Sequence, residues 1–273
     1  MEKKKIKLLA IQMGSVIADI EQNVLKVRNL LEENLLRHVS DFVFLPEVWT
    51  CGWDCESFPA CSENLENAKS LKMLKEIARK YNVNIIGGSF ILKKSDGSLA
   101  NSAPVINRNG ELVCIYEKNH LFSYYGCDEG KYITKGKNPI IVELDGVKIG
   151  LSICYDIRFP EMYRAYRKAG ADIMVNMAAW GAEKKIPWDT MNTSRAVENQ
   201  TYFVALTQTG LLKDGSRNLG HSMILNYKGD ILSEIETVEG GCFAEIDLES
   251  MYDFRDKCKV IDDIKEKYEV LIR

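Results

Sequence analysis

Histidine is scarce in this sequence, and the common motifs that hold metals or nucleotides are missing. Only 3 of the 273 residues are His, and no H-E-x-x-H, H-x-H or Cys-x-x-Cys pattern occurs. A Gly-x-Ser-x-Gly turn, a P-loop and a G-x-G-x-x-G after the first apolar run are also absent. We therefore expect no metal and no cofactor, and nucleotide hydrolases, dinucleotide-binding enzymes and serine hydrolases of that turn type are disfavoured.

The sequence also lacks a surplus of positive charge and a long apolar run. Lys plus Arg number 36 and Asp plus Glu 39, for a net charge of −3, which argues against a nucleic-acid partner. No uncharged apolar run approaches the roughly 18 residues of a membrane span. The first apolar run, 6–13, contains Lys7 and Gln12 and is typical of a strand rather than a signal peptide. We expect a cytoplasmic protein whose 8 Cys are thiols.

What the sequence does contain is a repeated alternation of strand and helix patterns. Hydrophobic residues make up 46% of the chain, enough for a large core. In the first half, apolar spacing predicts strands at 6–13, 42–45 and 83–91, with a break near Gly87 and Gly88, and helices at 24–35 and 65–78. Asp-Gly and Asn-Gly pairs at 96–97, 109–110 and 145–146 then predict hairpins.

A second block repeats this order. It predicts strands at 147–153, 171–177 and 202–208, helices at 160–168 and 188–199, and a hairpin over 222–235. Because no linker composition separates the halves, we predict one α/β domain over 1–250 built from two similar βα halves. The charged segment 251–273 is predicted to be a tail that packs on the domain or on a partner subunit.

Three chemically suggestive residues each follow a predicted strand. Cys154 follows the apolar strand 147–153, where backbone N–H groups would favour a thiolate. Glu47 follows 42–45 and has tryptophans nearby that would desolvate it and raise its pKa. Lys118 follows 112–116 and would supply positive charge to an oxyanion. Each has a plainer interpretation alone, as a packed thiol, a solvated glutamate or a surface lysine, but together they suggest a nucleophile, a base and a cation.

The segments around these residues resemble the three motifs of the nitrilase (carbon–nitrogen hydrolase) superfamily. They are 45–47 (LPE), 116–122 (YEKNHLF) and 153–161 (ICYDIRFPE), in the order and spacing of that family. Residues 195–200 (RAVENQ) also resemble its helix motif after the nucleophile. The resemblance implies a four-layer α-β-β-α sandwich that forms homodimers or larger homo-oligomers.

The resemblance also implies site residues. It makes Glu47 the general base, Lys118 the oxyanion-stabilising cation and Cys154 the nucleophile that forms a thioester with an amide substrate. The family often has a second active-site glutamate, for which Glu129 is the candidate and Asp128 the rival. The backbone N–H of Tyr155 is the candidate second oxyanion donor.

Residues 154–161 resemble the omega-amidase and deaminated-glutathione amidase branch, and residues 45–54 resemble bacterial omega-amidase-like members that act on 2-oxoglutaramate or its methionine-salvage relatives. Such substrates carry a carboxylate, and Arg158 is a candidate to bind it, the alternative being a structural ion pair. Trp180, Phe122 and Tyr125 are expected either to line the pocket or to pack in the core or a dimer interface. Alternative functions are N-carbamoyl amino-acid hydrolysis and a non-catalytic binding module of the same fold.

The remaining cysteines have no assigned chemistry. Cys114 and Cys242 are expected to be buried small hydrophobes, and Cys258 lies in the predicted tail. Four others are expected near the site without a role: Cys51, Cys55, Cys61 and Cys127.

Overall fold

The computed structural model describes residues 5–124, 127–212, 214–265 and 269–272. The α-helices are Ile20–Arg37 (α1), Lys69–Tyr81 (α2), Pro160–Lys168 (α3), Lys185–Asn199 (α4) and Leu248–Lys257 (α5). The first six strands are Lys5–Gln12 (β1), Phe42–Phe44 (β2), Asn84–Ile86 (β3), Phe90–Lys93 (β4), Leu99–Ile106 (β5) and Leu112–Glu117 (β6). The others are Ile141–Leu144 (β7), Val147–Ile153 (β8), Ile173–Ala178 (β9), Tyr202–Thr207 (β10), Ser222–Leu225 (β11), Ile231–Ile235 (β12) and Gly240–Asp247 (β13).

The strands form two sheets, one from the first half of the chain completed by β13 and the other from β7 to β12. The first sheet has the order β13-β1-β2-β3-β5-β4, with β6 also pairing with β5, and the second has the order β12-β11-β10-β9-β8-β7. The central pairs β1–β2, β2–β3, β8–β9 and β9–β10 are parallel, as expected for strands joined through helices. The two βα halves predicted from the sequence are therefore confirmed.

Side-chain alternation along the strands separates the layers. On β1, Leu8 and Ala10 belong to the core shared with the second sheet, whereas Leu9 and Ile11 pack with Leu31 of α1 and with α2. In the second sheet, strand residues pack with aromatic residues of α3 and α4. The result is the predicted α-β-β-α sandwich.

Strand β13 was not predicted from the sequence. It pairs antiparallel with β1 along its whole length, from Lys5 opposite Asp247 to Gln12 opposite Gly240. Its Gly-Gly start and its charged residues give a weak strand pattern, so the pairing depends on β1 rather than on local propensity. Because β13 follows β12 and joins the first sheet, it connects the two halves.

Helix α2 starts later than the predicted residue 65. Glu63 accepts hydrogen bonds from the Lys69 backbone N–H at 2.7 Å and the Ser70 hydroxyl at 2.7 Å, so its carboxylate caps the helix there. The predicted strand 83–91 is divided into β3 and β4 at Gly87 and Gly88, where the sequence predicts a break.

Helix α5 spans the expected domain boundary at residue 250. Its Arg255 donates to the backbone oxygens of Gln200 at 2.8 Å and Ala171 at 3.0 Å, so this part of the predicted tail lies on the second half. The boundary itself stays a prediction. In the part of the chain that the structure describes, no helix is both long enough and apolar enough to span a membrane.

The packing of α1 predicts a clear difference between two leucines of that helix. Leu31 is fully buried, whereas Leu36 is 77% exposed. We expect Leu31→Ala to lower the free energy of unfolding by about 2–5 kcal/mol, because it leaves a cavity in the core. The matched Leu36→Ala is expected to change it by less than about 0.5 kcal/mol. Urea unfolding measures both, and equal effects would contradict this packing.

Candidate active site

The three strand-end residues meet where the carboxyl ends of β2, β6 and β8 approach one another. Glu47 is 0%, Lys118 1% and Cys154 7% exposed. Charged side chains are rarely buried to this degree unless they are paired. The three residues that the sequence predicts to lie together are therefore in one place, and their contacts determine which chemistry the site can perform.

Glu47 uses both carboxylate oxygens. Its Oε1 accepts from Lys118 Nζ at 2.8 Å and from Asn101 Nδ2 at 2.9 Å, and its Oε2 accepts from the Ala179 backbone N–H at 2.9 Å. Burial raises the pKa of Glu47, against the opposing effect of the nearby Lys118 charge. The predicted rise in pKa is confirmed, and it brings the carboxylate closer to the range of a useful general base.

The chain around Glu47 is held by tight backbone contacts. Val48 has a φ of 39°, and its N–H donates to the Ser89 hydroxyl at 2.8 Å. Gly88 has a φ of 63°, and a Cβ there would lie 2.2 Å from the Pro46 oxygen. Glycine is therefore required at residue 88 for the two loops to approach this closely.

Lys118 lies between two carboxylates. Its Nζ donates to Glu47 Oε1 and to Glu129 Oε2, both at 2.8 Å, and lies 5.1 Å from the centroid of the Trp53 ring. Burial alone would lower the pKa of Lys118, but the charges of Glu129 and Glu47 hold it well above its ordinary value. Lys118 is therefore a fixed cation rather than a proton donor.

The structure separates Glu129 from its rival Asp128. Glu129 is fully buried, and its Oε2 accepts from Lys118 and from the Phe122 backbone N–H at 2.6 Å. Among the described residues, its Oε1 is buried without a hydrogen-bond partner. Asp128 instead accepts from the Ser123 hydroxyl at 2.7 Å and the Gly130 backbone N–H at 3.2 Å. Of the two candidates, Glu129 is the one that contacts Lys118.

Cys154 begins a short 3₁₀-helix, Cys154–Arg158, directly after β8, and has a φ of 47°. Such positive φ values are costly for non-glycine residues and are common at catalytic turns. Burial, followed by the Glu47 charge, raises the pKa of Cys154 well above its ordinary value. The expectation that the strand-end position favours a thiolate is therefore wrong, because burial and the Glu47 charge outweigh the opposing effect of the Lys118 charge.

Asp156 organises two of the three motifs, a role that the sequence analysis missed. Its Oδ2 accepts from the Ile153 backbone N–H at 3.0 Å and from the Tyr116 hydroxyl at 2.6 Å. Its Oδ1 accepts from the His120 backbone N–H at 2.9 Å. The side chain is fully buried and fixes the turn of Cys154 against the segment that carries Lys118. In the sequence, the position of Asp156 within the ICYDIRFPE motif was the one indication of this role.

A central cavity of about 300 Å³ opens onto Cys154. The aromatic residues of its wall include the sequence candidates Phe122, Tyr155 and Trp180. The Arg158 guanidinium lies 5.9 Å from the Tyr155 ring and 5.7 Å from the Trp180 ring. No carboxylate of the described residues lies within ion-pair distance of Arg158, so the alternative of a structural ion pair has no support among them. Tyr125 lies outside the described residues.

The other cysteines differ in their surroundings. All 8 are free thiols. Cys242 is buried as expected, but Cys114 is only partly buried because β6 pairs with one neighbour at the edge of its sheet. Cys51 and Cys61 hydrogen-bond to each other, which lowers the pKa of Cys61 to about 7. Cys55 and Cys127 are also paired, with 2.9 Å between their Sγ atoms.

Within residues 5–124, 127–212, 214–265 and 269–272, no group of three or more His, Cys, Asp or Glu is arranged to hold a metal ion. The buried charged groups that contact one another in the candidate site are Glu47, Lys118 and Glu129.

Known proteins are similar to this chain in sequence and in fold. A 2-oxoglutaramate amidase of Bacillus subtilis is 33% identical over 245 residues, which is 90% of this chain and 92% of the relative. The chloroplastic omega-amidase of Arabidopsis thaliana is 31% identical over 243 residues, 85% of this chain and 65% of that protein. The crystal structure of Saccharomyces cerevisiae Nit3, described as a member of branch 10 of the nitrilase superfamily, superposes with a TM-score of 0.86 at 26% identity, covering 93% of this chain and 94% of Nit3.

The family model named carbon–nitrogen hydrolase matches residues 7–256, which include the whole candidate site. The predicted membership, including its similarity to the omega-amidase branch, is confirmed by this match and by the relatives. The chain belongs to the carbon–nitrogen hydrolase family of the nitrilase superfamily.

Proposed function

We propose that the protein is an amidase that hydrolyses the C–N bond of a small carboxylated amide, a 2-oxoglutaramate-like omega-amide, through a Cys154 thioester. One observation carries the proposal: a buried Lys118 bonded to both Glu47 and Glu129, beside a buried Cys154 whose pKa is raised by burial and by the Glu47 charge. These groups suit acyl transfer, which needs a nucleophile, a base and a fixed positive charge. The amidase names of the relatives support the same reaction.

The first half of the reaction makes the thioester. Glu47 removes the thiol proton as Cys154 attacks the amide carbonyl carbon. The carbonyl oxygen becomes an oxyanion, stabilised by Lys118 and by the Tyr155 backbone N–H at the start of the 3₁₀-helix. The protonated Glu47 then gives its proton to the departing nitrogen, the C–N bond breaks, and ammonia leaves.

The second half consumes a water molecule. Glu47, again ionised, takes a proton from the water as its oxygen attacks the thioester carbonyl, and the C–S bond breaks to return the thiol and release a carboxylic acid. Glu129 has a different role. Its Oε2 holds Lys118, and its buried Oε1 is available to accept from the substrate –NH₂ group, which would orient the carbonyl toward Cys154.

The predicted homodimer, the cytoplasmic location and the tail packing of 251–273 stay predictions. Gel filtration with light scattering would measure the oligomeric state directly.

Removal of the nucleophile tests the chemistry. We expect Cys154→Ala to lower kcat by about 10⁴-fold or more, because no thioester can form. It should retain binding of the amide, measured by calorimetry. The control Cys258→Ala, at an exposed thiol, should keep the parent kcat. Full turnover by Cys154→Ala would contradict the assignment of the nucleophile, whereas binding of amides by the parent without any turnover would favour a binding module.

The pH dependence tests the role of Glu47. Its pKa is raised above the ordinary 4.5, so on acidification Glu47 takes up a proton and stops acting as a base at a higher pH than a solvated glutamate would. The acid limb of kcat/KM should therefore have an apparent pKa above 4.5. Lys118 should cause no loss of activity below 10.5, since its pKa is raised from that value. A neutral amide substrate removes substrate ionisation, and an acid limb at or below the ordinary glutamate value would contradict the proposal.

The charge of Arg158 tests the substrate class. For a carboxylated amide, we expect Arg158→Met to raise KM about 10- to 100-fold, since a charge-assisted hydrogen bond contributes about 1.5–3 kcal/mol. The same variant should change KM little for a neutral amide of equal length, and Arg158→Lys should recover part of the affinity. Equal effects on both amides would contradict a carboxylate site.

An ammonia-release screen then identifies the amide. It compares 2-oxoglutaramate, glutamine, asparagine, N-carbamoyl amino acids and nitriles, all at equal concentration. The highest kcat/KM is expected for the 2-oxo omega-amide. A preference for N-carbamoyl compounds would select the alternative function, and activity on nitriles alone would contradict the amidase proposal.

A further inference from the structure

Two thiols remote in sequence lie almost within bonding distance beside the central cavity. Cys55 begins the 3₁₀-helix Cys55–Ser57, and Cys127 lies 72 residues later; their Sγ atoms are 2.9 Å apart. A disulfide S–S bond is about 2.05 Å long, so an approach of roughly 0.9 Å would be enough to form one. The two residues therefore form a preassembled dithiol.

Small solutes can reach this dithiol from the cavity side. Cys127 lines the central cavity together with Cys154. Both Cys55 and Cys127 line an adjoining depression of about 540 Å³ that opens to solvent next to Trp53. A dithiol at an accessible cavity wall differs from a pair sealed in the core, because an oxidant can approach it without unfolding.

The two thiols are unequally exposed. Cys55 is buried, whereas Cys127 is partly exposed and lines both the central cavity and the adjoining depression. The hydrogen bond between the two sulfurs also lowers the pKa of Cys127 and, together with burial, raises the pKa of Cys55. Cys127 is therefore the thiol that an oxidant reaches and that attacks it, and Cys55 is placed to resolve the product.

The dithiol joins the two segments that flank the catalytic lysine. Trp53, on the Cys55 side, has its ring centroid 5.1 Å from Lys118 Nζ. Glu129, on the Cys127 side, accepts from that same Nζ at 2.8 Å. A movement of either cysteine toward the other would be transmitted to a direct contact of Lys118.

We propose that Cys55 and Cys127 form an oxidation site that takes hydroperoxides, and that the resulting disulfide lowers turnover by displacing Trp53 and Glu129 around Lys118. The regulatory part rests on the proposed amidase function. The Cys127 thiolate attacks the peroxide oxygen, the O–O bond breaks, and Cys127 becomes a sulfenic acid while an alcohol, or water from H₂O₂, is released. The Cys55 sulfur then attacks the Cys127 sulfur, its proton goes to the leaving hydroxide, and water departs. Two thiols are oxidised by two electrons, and one peroxide is reduced.

The first test is chemical and needs no activity. The reduced full-length protein is treated with H₂O₂, alkylated, digested without reductant and mapped by mass spectrometry. We expect a cross-linked Cys55–Cys127 peptide, in the parent and in Cys154→Ala alike. Absence of that peptide, or a Cys127–Cys154 peptide in its place, would overturn the proposal. This readout stands even if the protein proves inactive on every amide, so it separates the two hypotheses.

The second test measures turnover before and after oxidation, each protein relative to its own reduced activity. We expect peroxide to lower parental kcat about 10-fold or more, since a displacement of about 1 Å can cost on the order of 10²-fold, and dithiothreitol to restore it. Cys55→Ser and Cys127→Ser should each form no cross-link and resist this reversible loss. Cys258→Ser should behave like the parent.

Two results would overturn the regulatory part. One is the cross-link without a change in kcat. The other is an equal, reversible loss in the Cys55→Ser and Cys127→Ser variants, which would place the oxidation on Cys154.

Discussion

A buried ammonium group between two buried carboxylates is the constraint on which this site depends. Lys118, Glu47 and Glu129 are buried side by side, with the ammonium group bonded to both carboxylates. Removing Lys118 would leave two buried carboxylates without a cation, and breaking a buried ion pair in this way typically costs about 3–5 kcal/mol. The loops that carry these three residues must therefore keep fixed positions relative to one another. The hydrogen bonds to the backbone around the site hold them there.

The fold supplies those bonds across its two halves. Glu47 follows the first sheet, yet its Oε2 accepts from the Ala179 backbone N–H, and its backbone oxygen accepts from Gln208 Nε2 at 2.7 Å, both in the second half. In return, Asp156 of the second half accepts from Tyr116 of the first. The site is therefore completed only when the sheets pack, which explains why two similar halves act as a single unit.

The sequence was sufficient for features governed by local pattern and insufficient for those governed by distant partners. Strand 147–153 and helix 160–168 were predicted with their observed bounds, because apolar runs and Pro160 mark them locally. Strand β13 was missed because its pairing with β1 compensates for poor local propensity. The direction of the Glu47 pKa shift could be predicted because tryptophans lie near Glu47 in the sequence. The raised pKa of Cys154 could not, because it depends on a burial that a position at the end of a strand does not reveal.

The charges around Lys118 also bear on the proposed use of Cys154 as the nucleophile. In the proposed mechanism, a preformed Cys154 thiolate would add a third negative charge to the cluster, so proton transfer to Glu47 would accompany attack on a bound carbonyl. An ammonium has three N–H donors, and the two carboxylates occupy two of them, which leaves one for the developing oxyanion. A thiol that ionises only with substrate in place reacts slowly with oxidants. Cys127 is partly exposed, lines the same cavity and has a lowered pKa, so the redox proposal places the first oxidation on the dithiol rather than on Cys154.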